Sequence, residues 1–197
     1  MDFGRKLYSL GEIYKIIFEG VRTAHHLSHS KKKNELDQEF IERIMLAVTE
    51  VNGCPLCSYA HTKMALEAGM TDEEIKNMLS GIMNEVPSEQ MQAIMFAQHY
   101  AESRGNPSRE SWEHIVESYG LSKSKAVLGA IRIIMMGNAL GIPWSGFLSR
   151  IKGNHDDRTS LGYELSGMVI GSLMVPIATV HGLLSLVIDR SVLDFDK

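Results

Sequence analysis

A basic excess is missing from this 197-residue chain: 20 Lys and Arg stand against 24 Asp and Glu, for a net charge of −4. A surface that neutralises nucleic-acid phosphates needs the opposite balance, so nucleic-acid binding is set aside. Cysteine is scarce, with two residues in all, which excludes a disulfide scaffold and turns attention to redox or metal chemistry. Strand-like alternation never persists, and there is no internal repeat or low-complexity tract. The first twenty residues lack an apolar run, because Arg5, Lys6, Glu12 and Lys15 interrupt it. No signal peptide is therefore expected, and a cytoplasmic location is. Hydrophobic residues still reach 44 %, enough for a core, and the length suits one domain with added elements.

What is present concentrates between Val51 and His61. Both cysteines, Cys54 and Cys57, lie here, and His61 follows the second by four residues. Asn52-Gly53 signals a turn, and Pro55 suits the first position of a helix, where its missing N–H costs nothing. That predicts a helix over 55–68 with Cys54 at its N-cap and Gly69 at its end. The first turn of a helix favours an anion such as a thiolate. Helix N-termini and Cys-x-x-Cys spacing lower a thiol pKa from about 8.5 into roughly the 3.5–7.5 range. Cys57 and His61 share a helix face, so His61 could take the Cys57 proton, and Cys54 could close a disulfide with Cys57. Dipole and expected exposure favour Cys54 as the attacking thiol, whereas the His61 spacing favours Cys57. The same residues also have plainer readings. Free Cys is among the most buried residue types. Cys54, Cys57 and His61 would supply three of the four ligands zinc takes, with no second Cys pair to complete the set.

Glu42 extends the pattern to Glu42-x11-Cys54-x-x-Cys57-x-x-x-His61. This arrangement resembles the signature of the AhpD-like alkyl hydroperoxidases, within the carboxymuconolactone decarboxylase superfamily. The stretches Gly69–Ile75 and Met136–Pro143 are similar to further family segments, with Met135 and Met136 where aromatics are often found. The resemblance covers roughly residues 35–150. It implies an all-α, AhpD-like helical bundle, here with an N-terminal helix and connector (1–34) and apolar C-terminal helices (151–197) added. It implies a redox pair, Cys54 and Cys57, served by a proton relay through Glu42 and His61, with no cofactor and no metal. A peroxide or disulfide would be the small-molecule substrate, and an external thiol or redox partner protein the reductant. A homo-oligomer, trimer or hexamer, is expected, and a membrane association is not. Some members carry a histidine directly before the second cysteine; here that position is Leu56, so no proton step is assigned there. Lactone-decarboxylating members are expected to lack the cysteine pair, which weakens a decarboxylase reading. A metal-binding or non-catalytic oligomeric protein of the same fold is the remaining alternative.

The rest of the chain reads as helices and connectors. Residues 3–19 predict an amphipathic helix through Phe3, Leu7, Leu10, Ile13, Tyr14 and Ile17. Residues 24–34, with His25, His26 and His29, read as a solvated polar connector rather than a metal site. A helix over 35–52 has its apolar stripe at Phe40, Ile41, Ile44, Met45, Val48 and Val51. Glu42 lies more than about 100° from the centre of that stripe, so it is expected in solvent unless the next helix or a second subunit covers it. Glu50 is the rival acid. Thr71 and Glu74 form a capping box for a short helix to about Leu79. Ser88 is expected to cap a helix to about Ser103, with Met91, Ile94, Met95, Ala97 and Ala101 facing inward. Helices over 108–119 and 123–139 meet at Gly120; the second is central, and its Arg132 needs a partner. Residues 141–144 read as a turn and 151–160 as a linker. From Leu165 to Ile188 there is no charged residue, a length that could span a bilayer. Pro176, Glu164, His181, several Ser and Thr and the small number of flanking bases favour instead two helices, about 160–174 and 177–189, buried between subunits. Gly167 and Gly171 would allow close helix approach.

Overall fold

Five of the helices begin where a side chain satisfies a free N–H group. Ser9 accepts from the Glu12 N–H while Glu12 returns to the Ser9 N–H, a complete capping box. Asp37 accepts from Phe40, Cys54 from Cys57, Thr71 from Glu74 and Ser108 from Ser111. The structure, a computed structural model, describes residues 5–188 and 191–193. Its elements are α1 (Leu10–Lys33), α2 (Gln38–Asn52), α3 (Pro55–Ala68), α4 (Asp72–Met78), α5 (Ser88–Glu102), α6 (Arg109–Ile151) and α7 (Leu161–Ile188). No strand occurs among the described residues, and the fold is all-α.

The long helix α6 is the axis. Leu128, Ile131 and Met135 are fully buried along it. On one side α1 approaches so closely that a Cβ at Gly129 would sit 2.9 Å from the Thr23 carbonyl oxygen. On another lies α2, buried at every position from Phe40 to Thr49. Arg132 finds its partners inside, in an ion pair with Glu19 at 3.0 Å and a hydrogen bond donated to the Tyr100 hydroxyl at 2.7 Å. Helix α7 covers α1 and α6 through small residues: Gly167 meets Pro143, Gly171 meets Leu140 and Ile13, and Gly182 meets Val21.

Several sequence expectations are corrected. Residues 24–33 are the second half of α1, not a connector, because Thr23, Leu27 and Ser30 keep helical spacing and are buried. The helix starts at Leu10; Phe3 lies outside the described residues. Residues 141–144 are helical, and Pro143 sits inside α6. A proline there removes one backbone bond but keeps a helical φ, and its ring packs on Gly167. The C-terminal stretch is one helix with Pro176 inside it, not two. Pro87, not Ser88, is the N-cap of α5, with no side-chain cap. Met95 is 57 % exposed, and Phe96 takes the inward position beside Trp112. Gly120 breaks the helix as expected, at φ 73° and ψ 158°, but the two halves of α6 follow without a loop.

Candidate active site: a disulfide at a helix start

Gly53 ends α2 in the left-handed region (φ 66°) and Pro55 opens α3, so the chain turns tightly with Cys54 between them. This fixes Cys54 as the N-cap, where its sulfur accepts the Cys57 N–H at 3.3 Å. The two cysteines are joined as a disulfide, with Cα atoms 5.3 Å apart. Cys54 is fully buried and Cys57 is 8 % exposed. That reverses the expectation that Cys54 is the more accessible thiol: the turn from α2 tucks the N-cap residue beneath α6, and Cys57 lies nearer the surface.

The acid is Glu42. Its Oε2 lies 2.8 Å from His61 Nδ1, and its Oε1 accepts from the Gln38 amide at 2.6 Å. An ionised carboxylate can only accept hydrogen bonds. With the carboxylate as acceptor, Nδ1–H is the donor of this bond, and Nε2 is the ring nitrogen outside it. Glu42 is 1 % exposed within a single chain, so the expectation of a solvated carboxylate is wrong. An apolar stripe marks the opposite face as solvated only where one side of a helix meets water, whereas α3, α4, α5 and α6 all pack on α2. Glu50 points elsewhere. It lies near Lys6 and Glu102, and burial followed by the Glu102 charge pushes its carboxyl above the usual range.

Three contributors escaped the sequence reading. Gly141 of α6 faces both sulfurs: a Cβ there would lie 2.9 Å from Cys54 Sγ and 3.0 Å from Cys57 Sγ. Only a residue without a side chain lets α6 close over the disulfide. One turn on, Ser145 Oγ accepts the Leu56 N–H at 3.4 Å, joining α6 to the first turn of α3. Gln38 was missed as well, although a signal for it existed: it stands four residues before Glu42 on the same helix face. On the two helices that carry and cover the sulfurs, Leu56 and Tyr59 of α3 and Trp144 and Leu148 of α6 are large, mainly apolar and exposed. Among the described residues no three His, Cys, Asp or Glu side chains gather as a metal site.

The site therefore joins a disulfide at a helix N-terminus to a carboxylate-held histidine one turn further along, within an all-helical protein. Residues 20–99 match the carboxymuconolactone decarboxylase family, which includes AhpD-like proteins. The matched segment contains Glu42, Cys54, Cys57 and His61, in agreement with the resemblance read from the sequence; α6 and α7 lie outside it. The chain has no match among the curated proteins and none among the solved structures.

Proposed function

We propose that this protein is a thiol-dependent peroxidase of the AhpD-like kind, cycling between a Cys54/Cys57 dithiol and the disulfide. The observation that carries the reading is the Cys54–Cys57 disulfide placed one helical turn before a His61 whose Nδ1 is held by Glu42. In the reduced state His61 Nε2 takes the Cys57 proton. The Cys57 thiolate attacks one peroxide oxygen, the O–O bond breaks, and the alkoxide leaves with the proton from His61. Cys57 is then a sulfenic acid, oxidised by two electrons. Cys54 sulfur attacks Cys57 sulfur, and the S–O bond breaks to release hydroxide, which takes the Cys54 proton and leaves as water. The disulfide returns to the dithiol when an external dithiol is oxidised in its place. Cys57 is the more accessible sulfur for that exchange. Cys54, which accepts the Cys57 N–H at the helix start, is the better stabilised leaving thiolate.

The test is peroxide-driven thiol oxidation. Reduced protein is mixed with a small excess of cumene hydroperoxide, and free thiols and intact mass are followed for wild type, Cys54→Ser, Cys57→Ser and His61→Ala. Wild type should lose both thiols and two mass units quickly, His61→Ala slowly, and Cys54→Ser should accumulate a sulfenic acid on Cys57. Thiols that outlast free cysteine under the same conditions would overturn the proposal. A sulfenic acid trapped only in Cys57→Ser would reverse the assignment of the attacking sulfur.

A further inference from the structure

From Leu165 to Ile188 helix α7 carries no charge. Its inward face is already used: Gly167, Gly171, Ala178 and Gly182 are buried on α1 and α6. The outward face is apolar and bare. Val169, Leu173, Pro176, Val180, Leu183 and Val187 are all exposed, and their spacing of four, three, four, three, four is the 3.5-residue seam of a helix that pairs with another helix. Ile170, Ile177 and Leu184 repeat every seven residues beside it and are 40 %, 62 % and 62 % exposed. Together these side chains leave on the order of 1,000 Å² of apolar surface accessible, beyond the few hundred that monomers usually show and close to the roughly 800 Å² each partner brings to a stable dimer.

We infer that this face of α7 is the contact for a second copy of the chain, α7 against α7 about a two-fold axis. A face without charge meets its own copy without like-charge repulsion, and a two-fold contact needs only a self-complementary surface. The regular seam specifies a helix as the occupant; a lipid surface would not require that spacing. The lipid alternative fits less well on two counts. Spanning a bilayer would carry α1 in with α7, together with Lys15, Glu19 and Arg22 of α1. Lying on a bilayer calls for Lys or Arg along the helix, and there is none from Leu165 to Ile188.

The experiment uses the full chain in gel filtration with light scattering at micromolar concentration. Wild type, Val180→Glu, Leu173→Glu and, as an off-seam control, Ile82→Glu (44 % exposed in wild type) are compared, with helix content followed by circular dichroism. The wild type and Ile82→Glu should have at least twice the mass of the two seam variants, whose thiol oxidation rate should match wild type. Val180→Gln gives the same comparison without a charge should a glutamate lower the helix content. A wild-type mass of 22.0 kDa, or seam variants that keep the wild-type mass, would overturn the inference. So would flotation of wild type with phosphatidylcholine vesicles that Val180→Glu abolishes while the mass in solution stays the same.

Discussion

Replacing Glu42 by Gln isolates the charge that holds His61. The two side chains have nearly the same shape, so the pocket, where Glu42 is 1 % exposed, stays filled. In wild type one carboxylate oxygen receives His61 Nδ1 at 2.8 Å and the other the Gln38 amide at 2.6 Å. A glutamine presents one carbonyl oxygen and one amide group to the same two donors. One donor keeps a partner and the other faces a second donor. A hydrogen bond with an ionised partner contributes about 1.5–3 kcal/mol, and a neutral one about 0.5–1.5 kcal/mol. The difference of about 1–2 kcal/mol falls on the protonated imidazole that forms when Cys57 is deprotonated, which corresponds to a rate loss of about 5- to 30-fold. The opposed donor adds a stability loss of about 1–3 kcal/mol. The assay is the pseudo-first-order loss of thiols with cumene hydroperoxide, run beside urea denaturation. Glu50→Gln, whose carboxyl lies by Lys6 and Glu102, should oxidise at the wild-type rate. If Glu42→Gln reacts as fast as wild type, or Glu50→Gln is the slow variant, the relay drawn from this geometry is refuted.

Gly141→Ala should lower the melting temperature of the oxidised protein. Helix propensity favours Ala by about 1 kcal/mol, but a Cβ 2.9 Å and 3.0 Å from two sulfurs locked together brings an overpacking cost of about 1–3 kcal/mol; a raised melting temperature would count against the contact. Glu164 is buried between two hydrogen bonds donated by Arg150, at 2.7 Å and 2.9 Å, and those bonds hold its carboxyl below the usual range near 4.5. Its contribution is present above that range and is lost as pH falls through the lowered folded value, so Glu164→Gln should be less stable at neutral pH and show a shallower acid transition than wild type; equal slopes would contradict this. Burial, helped by the His25, Lys125 and His29 charges, pushes His26 down to about 4. Between its ordinary value of 6.5 and that figure the unfolded chain binds a proton the folded one refuses. Stability should therefore fall as pH falls through that window, and His26→Gln should flatten the fall in a denaturation series; an unchanged slope would refute it.

Local chemistry was legible wherever a short sequence decides the outcome alone. Asn52-Gly53, Pro55 and Gly69 placed α3 to the residue, because a left-handed glycine and an N1 proline each act within one turn. Thr71 and Gly120 did the same for α4 and for the break in α6. The failures came where a neighbour far along the chain decides. The polar run His25–Lys33 looks like a connector, yet its inward positions Leu27 and Ser30 are enough to keep it helical. Pro143 and Pro176 looked like helix ends. Each instead sits where the rest of the helix is held by packing, Pro143 on Gly167 and the turn after Pro176 through Ala178 and Gly182, which outweighs one missing backbone bond.

Glu42 shows why the site was only half legible. Periodicity assigns a face by assuming that one side of a helix meets water. That holds for a helix at the edge of a fold, and α2 is enclosed by α3, α4, α5 and α6. Inside such a helix a carboxylate must be paired, since a buried charge left alone costs several kcal/mol. The partners available decide what it does. The other buried ions nearby are already committed, Arg43 binding Glu74 at 2.6 Å and Glu39 at 3.1 Å. Glu42 is left with Gln38, a neutral donor on its own helix, and His61, a titratable donor on the next. A carboxylate paired with a neutral amide and an imidazole keeps its negative charge uncompensated until that imidazole gains a proton. In the proposed relay its energetic demand and the demand of a cysteine that must lose a proton act in the same direction, because each is met by a proton arriving on His61.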